Sequence, residues 1–298
     1  MAGSSSETCP HRRHRPPRDR QNGIALVVVL WMLTLLTVIA GSLAYSARTT
    51  ATIARNFGDA AQARRLAEAG FNKALLALTQ RDPALRWPVD GTEHLWATPT
   101  GTARISIRDE AGFINVNRAG PELLDGLFRV AGVEEARRVA LVDAILDWRD
   151  PDSVRREAGA EDQDYAAAGR AGGAKDGLFD TATELQQVFG MSAELFEQIE
   201  PFVTVHGRHS NISDAAAPRE VLLALPGADA ASVERILDAR QAGQTGQGPR
   251  RAAATAEIVR IQVQAEAPSG ARQGLRVVAH IRIGPNPGYS ILSWQEGG

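Results

Sequence analysis

The sequence predicts an α+β protein in which one long N-terminal helix packs on a small antiparallel sheet, with a helical insertion between the strands. Three observations carry this. Gly23 to Ala47 is an uncharged, largely apolar run that passes into an amphipathic stretch, and no proline occurs between Pro17 and Pro83. Apolar and polar residues alternate from Ala103 to Arg108, and again over 259–266 and 275–283, which is the mark of half-buried strands. The stretch between these runs, 113–251, reads mostly helical.

The leader comes first. Residues 1–22 are rich in Ser, Pro, His and Arg and are expected to be disordered. His11 and His14 alternate with arginines and read as part of a basic leader, not as metal ligands. A helix over the apolar run would be about 36 Å long, enough for a hydrocarbon core of about 30 Å. Arg12, Arg13, Arg15, Arg18 and Arg20 precede it, and such a flank favours the cytoplasmic side. The run exceeds the apolar core of an ordinary signal peptide, although Ser42-Leu43-Ala44 would pass as a signal-peptidase site. A plain single-span anchor is the other bland reading. Arg12-Arg13 is followed by His14-Arg15-Pro16-Pro17, so a twin-arginine signal does not fit.

Net charge is −2; the leader carries +3 and the remainder −5. That mild acidity argues against non-specific nucleic-acid binding. Cys9 is the only cysteine and lies in the leader, which excludes a disulfide frame, a cysteine nucleophile and a thiolate metal site from the rest. No Gly-x-Ser-x-Gly, phosphate loop or His-Glu-x-x-His occurs around His94, His206, His209 or His280, so an enzyme is not expected. His206 and His209 flank a Gly-Arg pair and are expected to be exposed.

The long helix is predicted from about Ile24 to Arg81. In its second half Ala60, Ala63, Ala67, Phe71, Ala74 and Leu78 share one face, and their small size lets a partner layer approach. Gly41 and Gly58 are points where it can loosen. Asp82–Gly101 reads as a loop, Pro268-Ser269-Gly270 as a hairpin turn, and Tyr289 to Trp294 as a last short strand.

The insertion holds an internal repeat. Phe113-Ile114-Asn115-Val116-Asn117 with Pro121-Glu122-Leu123-Leu124 is echoed by Ser210-Asn211-Ile212-Ser213-Asp214 with Pro218-Arg219-Glu220-Val221-Leu222-Leu223. Each unit starts a helix at or next to proline and continues into a second helix, Glu134 to Trp148 and Ala231 to Arg240. These pairs resemble helix-hairpin-helix or SAM-like modules. A further pair is expected at Thr183–Phe189 and at Ser192–Ile199, the latter capped by Ser192. Between the repeats lies an acidic segment, Asp147 to Tyr165, broken by Pro151 and Gly159.

The Gly23-Ile24 junction between a basic leader and an apolar helix resembles the processing site of type IV pilin-like proteins. In that family a membrane peptidase cuts after the glycine, and Glu usually stands five residues on. Here that position is Val28. Asn115-Val116-Asn117, Leu146-Asp147-Trp148 with Asp150 and Asp152, Gly159-Ala160-Glu161-Asp162 with Tyr165, and Thr183-Glu184-Leu185 with Gly190-Met191 occur in the order seen in one pseudopilin class. On these the chain is similar to the K minor pseudopilins of type II secretion, which characteristically lack the glutamate.

The resemblance implies cleavage between Gly23 and Ile24 by prepilin peptidase, with methylation. It further implies a single inner-membrane span with a cytoplasmic amino end, and a periplasmic domain at the pseudopilus tip with the I and J minor pseudopilins above a body of major pseudopilin G. It implies a leader at 1–23, a long helix at 24–81 that spans the membrane at 24–47, a pilin-like domain at 82–112 and 252–298, and an inserted domain at 113–251. The alternatives are a membrane-anchored helix-hairpin-helix DNA receptor and a minor pilin of a related type IV pilus. Against the receptor, Asp229 and Glu134 stand at the hairpin turns, where a phosphate would be repelled. Oxygen ligands crowded in an irregular loop suit Ca²⁺, although the EF-hand spacing fails. The family also implies calcium, and the candidate ligands are Asp147, Asp150, Asp152, Glu161, Asp162 and Asp164.

Overall fold

The computed structural model describes residues 22–80, 82, 85–207, 209–244, 256–282 and 288–297. Residues 1–21 of the leader therefore lie outside the described residues. The chain divides into two compact units, 1–58 and 59–298.

Helix α1 runs from Asn22 to Leu78, so the Gly23-Ile24 junction falls in its first turn. In the first unit its apolar side chains are exposed along the whole run, Ile24, Trp31, Leu36 and Leu43 among them. Among the described residues this is one helix long and apolar enough to cross a membrane. Thr34 and Thr37 return their hydroxyls to the carbonyls of Leu30 and Leu33, so they add no unpaired polar group to the span.

In the second unit α1 becomes the base of a core. Ala63, Ala67, Phe71, Ala74 and Leu78 are buried on one face, as the spacing predicts. They meet a five-stranded antiparallel sheet of order β1-β2-β5-β6-β7. The strands are β1 (Asp90–Thr98), β2 (Gly101–Asp109), β5 (Ile258–Glu266), β6 (Arg272–Arg282) and β7 (Gly288–Gly297). Ile105 and Ile107 of β2, Ile261 and Val263 of β5, and Val277 and Ala279 of β6 turn their alternating apolar set onto α1. Each large aliphatic side chain buried this way contributes about 1.5–3 kcal/mol. Gly70 lets the helix come close, because a Cβ there would stand 2.7 Å from Val263 Cγ1.

The sheet corrects one expectation. β1 occupies much of the Asp82–Gly101 stretch read as a loop. Its outward side chains Glu93 and Leu95 are exposed, and its pairing slips at a bulge between Asp90 and Glu93, so it lacks a clean apolar alternation. The turn after β5 is where the sequence puts it, with Gly270 at φ 86°.

The chain leaves the sheet after β2 and returns at β5, and the intervening residues build a second core. β3 (Ile114–Asn115) pairs in parallel with β4 (Val203–Thr204). Helices α2 (Pro121–Val130), α3 (Glu135–Arg149), α4 (Asp162–Ala167), α5 (Ala193–Ile199), α6 (Arg219–Ala224) and α7 (Ala230–Gln244) follow. Pro121 sits in the first turn of α2, where its missing N–H costs nothing. The two repeat units meet where α2 crosses α6: Gly126 lies against the Ala224 carbonyl so closely that a Cβ would collide with it. The expected helix at Thr183–Phe189 is a 3₁₀ turn over Ala182–Gln187. Ser192 caps α5, its Oγ accepting from Leu195 N–H at 3.2 Å.

Candidate acidic site and family relationships

The carboxylates of the acidic segment are spread over three settings. Asp147 lies in the last turn of α3 because the apolar stripe Leu141, Ala144, Ile145 and Trp148 turns that end of the helix inward. Its side chain is fully buried. Both oxygens accept from Arg156 N–H, at 3.3 and 3.2 Å, and Arg156 Nε stands 3.3 Å from Oδ1. Gly159 passes against the same carboxylate, and a Cβ there would overlap Oδ2. Asp150 caps the C-terminus of α3, and its Oδ2 accepts from Arg156 Nη2 at 2.8 Å. Its Oδ1 is buried without a partner.

Glu161 and Asp164 form a capping box at the start of α4, in which each side chain faces the other's N–H, but the Glu161 carboxylate does not reach full hydrogen-bond geometry. Glu161 N–H donates to Asp164 Oδ2 at 3.0 Å. Asp164 N–H goes to the Glu161 carbonyl at 2.8 Å, which leaves both Glu161 carboxylate oxygens buried and without a partner. Glu161 is 6% exposed. Burial first, and then the charges of Asp147, Asp176, Asp150 and Asp162, push its pKa up to about 7. Burial likewise raises Asp147 and Asp150, against the pull of Arg156.

Of the six residues named from the sequence, Asp147 and Asp150 lie near enough to Glu161 for their charges to act on it, as does the exposed Asp162, without the side chains converging on one point. Asp152 is exposed and closes its own turn, its Oδ1 accepting from Val154 N–H at 2.9 Å. Asp164 is held at 2.9 Å by Arg155 and has a lowered pKa. As placed, no three Asp, Glu, His or Cys side chains among the described residues converge closely enough to hold a metal ion.

The sequence reading missed Asp176. It is the one non-glycine residue with a positive φ among those described, at 53°. Gly177 N–H bonds to the Trp148 carbonyl at 3.3 Å, which ties this loop to the end of α3. The signal was an Asp-Gly pair in a glycine-rich stretch, and aspartate tolerates that left-handed turn. Glu161 Oε1 and Oε2 and Asp150 Oδ1 are buried oxygen atoms without a hydrogen-bond partner, the atom type that hard cations take as ligands.

Two other expectations can be placed. His206 is half-buried, not exposed; its N–H donates to Thr204 Oγ1 at 3.0 Å and burial lowers its pKa. Asp229 stands at the turn before α7, with its Oδ1 accepting from Ser232 N–H at 2.6 Å, so the helix start is already occupied by an anion.

Comparison with known proteins gives a consistent answer. Residues 105–208 match the family model for type II secretion system (T2SS) protein K. The chain is 28% identical over 250 residues to the type II secretion system protein K of Pseudomonas aeruginosa, covering 75% of this chain and 73% of that one. It is 28% identical over 234 residues to the Klebsiella pneumoniae protein of the same name, covering 69% and 70%. Among solved structures, a chain in the crystal structure of the GspK-GspI-GspJ complex from the enterotoxigenic Escherichia coli type 2 secretion system shares the fold. Its TM-score is 0.54 at 16% identity, and the match covers 85% of this chain and 99% of that one. On these comparisons the chain is similar to the type II secretion system protein K family, through residues 105–208 and through relatives 28% identical to it.

Proposed function

We propose that this chain is the minor pseudopilin at the tip of a type II secretion pseudopilus. Its role is structural, not enzymatic: it helps start pseudopilus assembly and so the export of folded proteins from the periplasm across the outer membrane. The observation that supports this best is the helical insertion between β2 and β5, carried by a long helix and sheet and covering most of the family match. Val28, standing where pilin-like proteins carry Glu, fits a subunit with no neighbour ahead of it. Prepilin peptidase would cut after Gly23 and leave Ile24 as the new, methylated amino end. The α1 span would sit in the inner membrane with the amino end cytoplasmic and residues 59–298 periplasmic.

The partners follow from the same reading. They are the I and J minor pseudopilins, as in the complex named for the solved relative, and the major pseudopilin G below. The test is co-expression of the full chain with the I and J subunits and co-purification from detergent-solubilised membranes. A stable three-subunit complex is expected. Tight DNA binding at physiological salt without such a complex would favour the membrane DNA receptor, a reading that Asp229 at the α7 turn argues against.

Calcium belongs to the same proposal. Asp147, Asp150 and Glu161 would hold it, with Asp176 as a further oxygen donor and Asp162 at the margin. The support is the set of buried, unpartnered oxygens on Glu161 and Asp150. The cation would supply positive charge where the carboxylates repel one another.

A further inference from the structure

We infer that the guanidinium of Arg156 holds the cation's place in the acidic site, and that a divalent cation enters by displacing it. This rests on the calcium reading above and adds how that site is controlled. Arg156 is the basic residue paired with both Asp147 and Asp150: Nε lies 3.3 Å from Asp147 Oδ1 and Nη2 lies 2.8 Å from Asp150 Oδ2. It thus bridges two of the carboxylates that would ligate the ion. Its side chain is 41% exposed while that of Asp147 is fully buried, so the guanidinium reaches in from solvent and has a path out. Neighbouring Arg155 takes a different partner, Asp164, on the outer side of α4.

Two further observations point the same way. One guanidinium does not serve the whole cluster: Asp150 Oδ1 stays buried and unpartnered, as do Glu161 Oε1 and Oε2, whose charged neighbours include Asp147 and Asp150. The planar fork fixes the spacing of Asp147 and Asp150, with Nε on one and Nη2 on the other, so an ion drawing them together would have to displace it. The backbone N–H of Arg156 bonds to both Asp147 oxygens and needs no movement when the side chain leaves. The loop therefore has two charge-balanced states, one neutralised from within and one by a cation. Cation binding is weakened by the cost of releasing the arginine.

The test uses the full chain in detergent micelles, with Ca²⁺ competing against Tb³⁺ luminescence sensitised by the nearby Trp148. Arg156→Gln is compared with Arg155→Gln, which removes the same charge one residue away. Arg156→Gln should bind Ca²⁺ about tenfold tighter, the scale of a charge-assisted pair no longer broken on binding. Arg155→Gln should change affinity by less than about threefold, as for an exposed pair. Arg156→Lys, which keeps charge without the fork, should fall between the parent and Arg156→Gln. Thermal midpoints separate folding from binding: Arg156→Gln should melt lower than the parent in chelator and at least as high in saturating Ca²⁺. Equal tightening by both Gln variants would reduce the effect to net charge and overturn the displacement. Unchanged or weaker binding in Arg156→Gln would overturn it too, leaving Arg156 a structural neighbour of a real site. Absence of Ca²⁺ binding in parent and variants alike would remove the calcium reading, and the displacement with it.

Discussion

Arg260 of β5 and Glu110, which follows β2, form an ion pair at 2.8 Å with both side chains buried, and it fastens the sheet to the insertion. The same guanidinium donates to the carbonyls of Pro201, at 3.2 Å, and Val203, at 2.9 Å, and lies 3.6 Å over the Phe113 ring. It spends nearly all its donors across the boundary between the two cores. Glu110→Ala should cost about 3–5 kcal/mol, because it strands a buried cation. Replacing both partners, as Glu110→Leu with Arg260→Met, should cost less than either single change. Urea unfolding of the three variants measures this; additive losses would mean that the pair is not coupled.

Processing should give a mature chain beginning at Ile24. N-terminal sequencing of protein taken from membranes reads it directly. Gly23→Val should leave the leader attached. A mature start at Tyr45 would point instead to signal peptidase acting after Ala44.

Glu161 sets a pH dependence. Its pKa lies near 4.5 when unfolded and about 7 in the fold, so the folded chain retains a proton that the unfolded chain releases. The stability this gives is fully present below 4.5 and is lost as pH rises through 7. In chelator, the thermal midpoint should therefore fall across that window, and Glu161→Gln should flatten the fall. Saturating Ca²⁺ should reverse the trend, because only the ionised carboxylate ligates. A midpoint independent of pH in chelator would contradict the burial of this group.

Gly126 is required by the α2–α6 crossing. Gly126→Ala would drive a methyl group into the Ala224 carbonyl, which is backbone and cannot rotate away. A loss of about 1–3 kcal/mol is expected, against the gain that alanine normally brings to a helix interior. Thermal unfolding checks the sign. Gly227→Ala makes a useful contrast: nothing stands within 4 Å of its Cβ, and its cost comes from a φ of 71° alone.

The long helix, strands β2, β5 and β6 and the paired helices of the insertion were legible because each carries its own period. Ala63, Ala67, Phe71 and Ala74 repeat at helical spacing, and Ile105 and Ile107 at strand spacing. β1 was not legible, because it is an edge strand with exposed Glu93 and Leu95 and a bulge. The β3–β4 bridge was not legible either: two residues from each strand, Ile114 with Val203 and Asn115 with Thr204, are too few to show a period. At the acidic site, composition exposed the carboxylates but not their directions. Asp152 and Asp164 turn to a local N–H and to Arg155, choices made by the loop's path. Asp176 arrives from a separate loop, and only the folded chain brings it near Glu161.

The place where the insertion joins the sheet bears on the order in which the protein can fold. β2 and β5 are direct neighbours, with Asp109 opposite Val259, so the two ends of the excursion meet side by side. Pairing them from a disordered chain would close a very long loop, and the entropy of closure grows with its length. An insertion that has already collapsed on its own core presents its ends together and makes the β2–β5 pairing almost a local event. In a chain delivered from its amino end, α1, β1 and β2 come first and wait for a third strand. Their exposed inner faces, Ile105 and Ile107 among them, stay uncovered until the closing strands emerge. The fold thus leaves this apolar sheet face uncovered until the domain that interrupts it has been made. Variants that slow the insertion's collapse should accumulate as misassembled sheet before they show any defect in the finished native state.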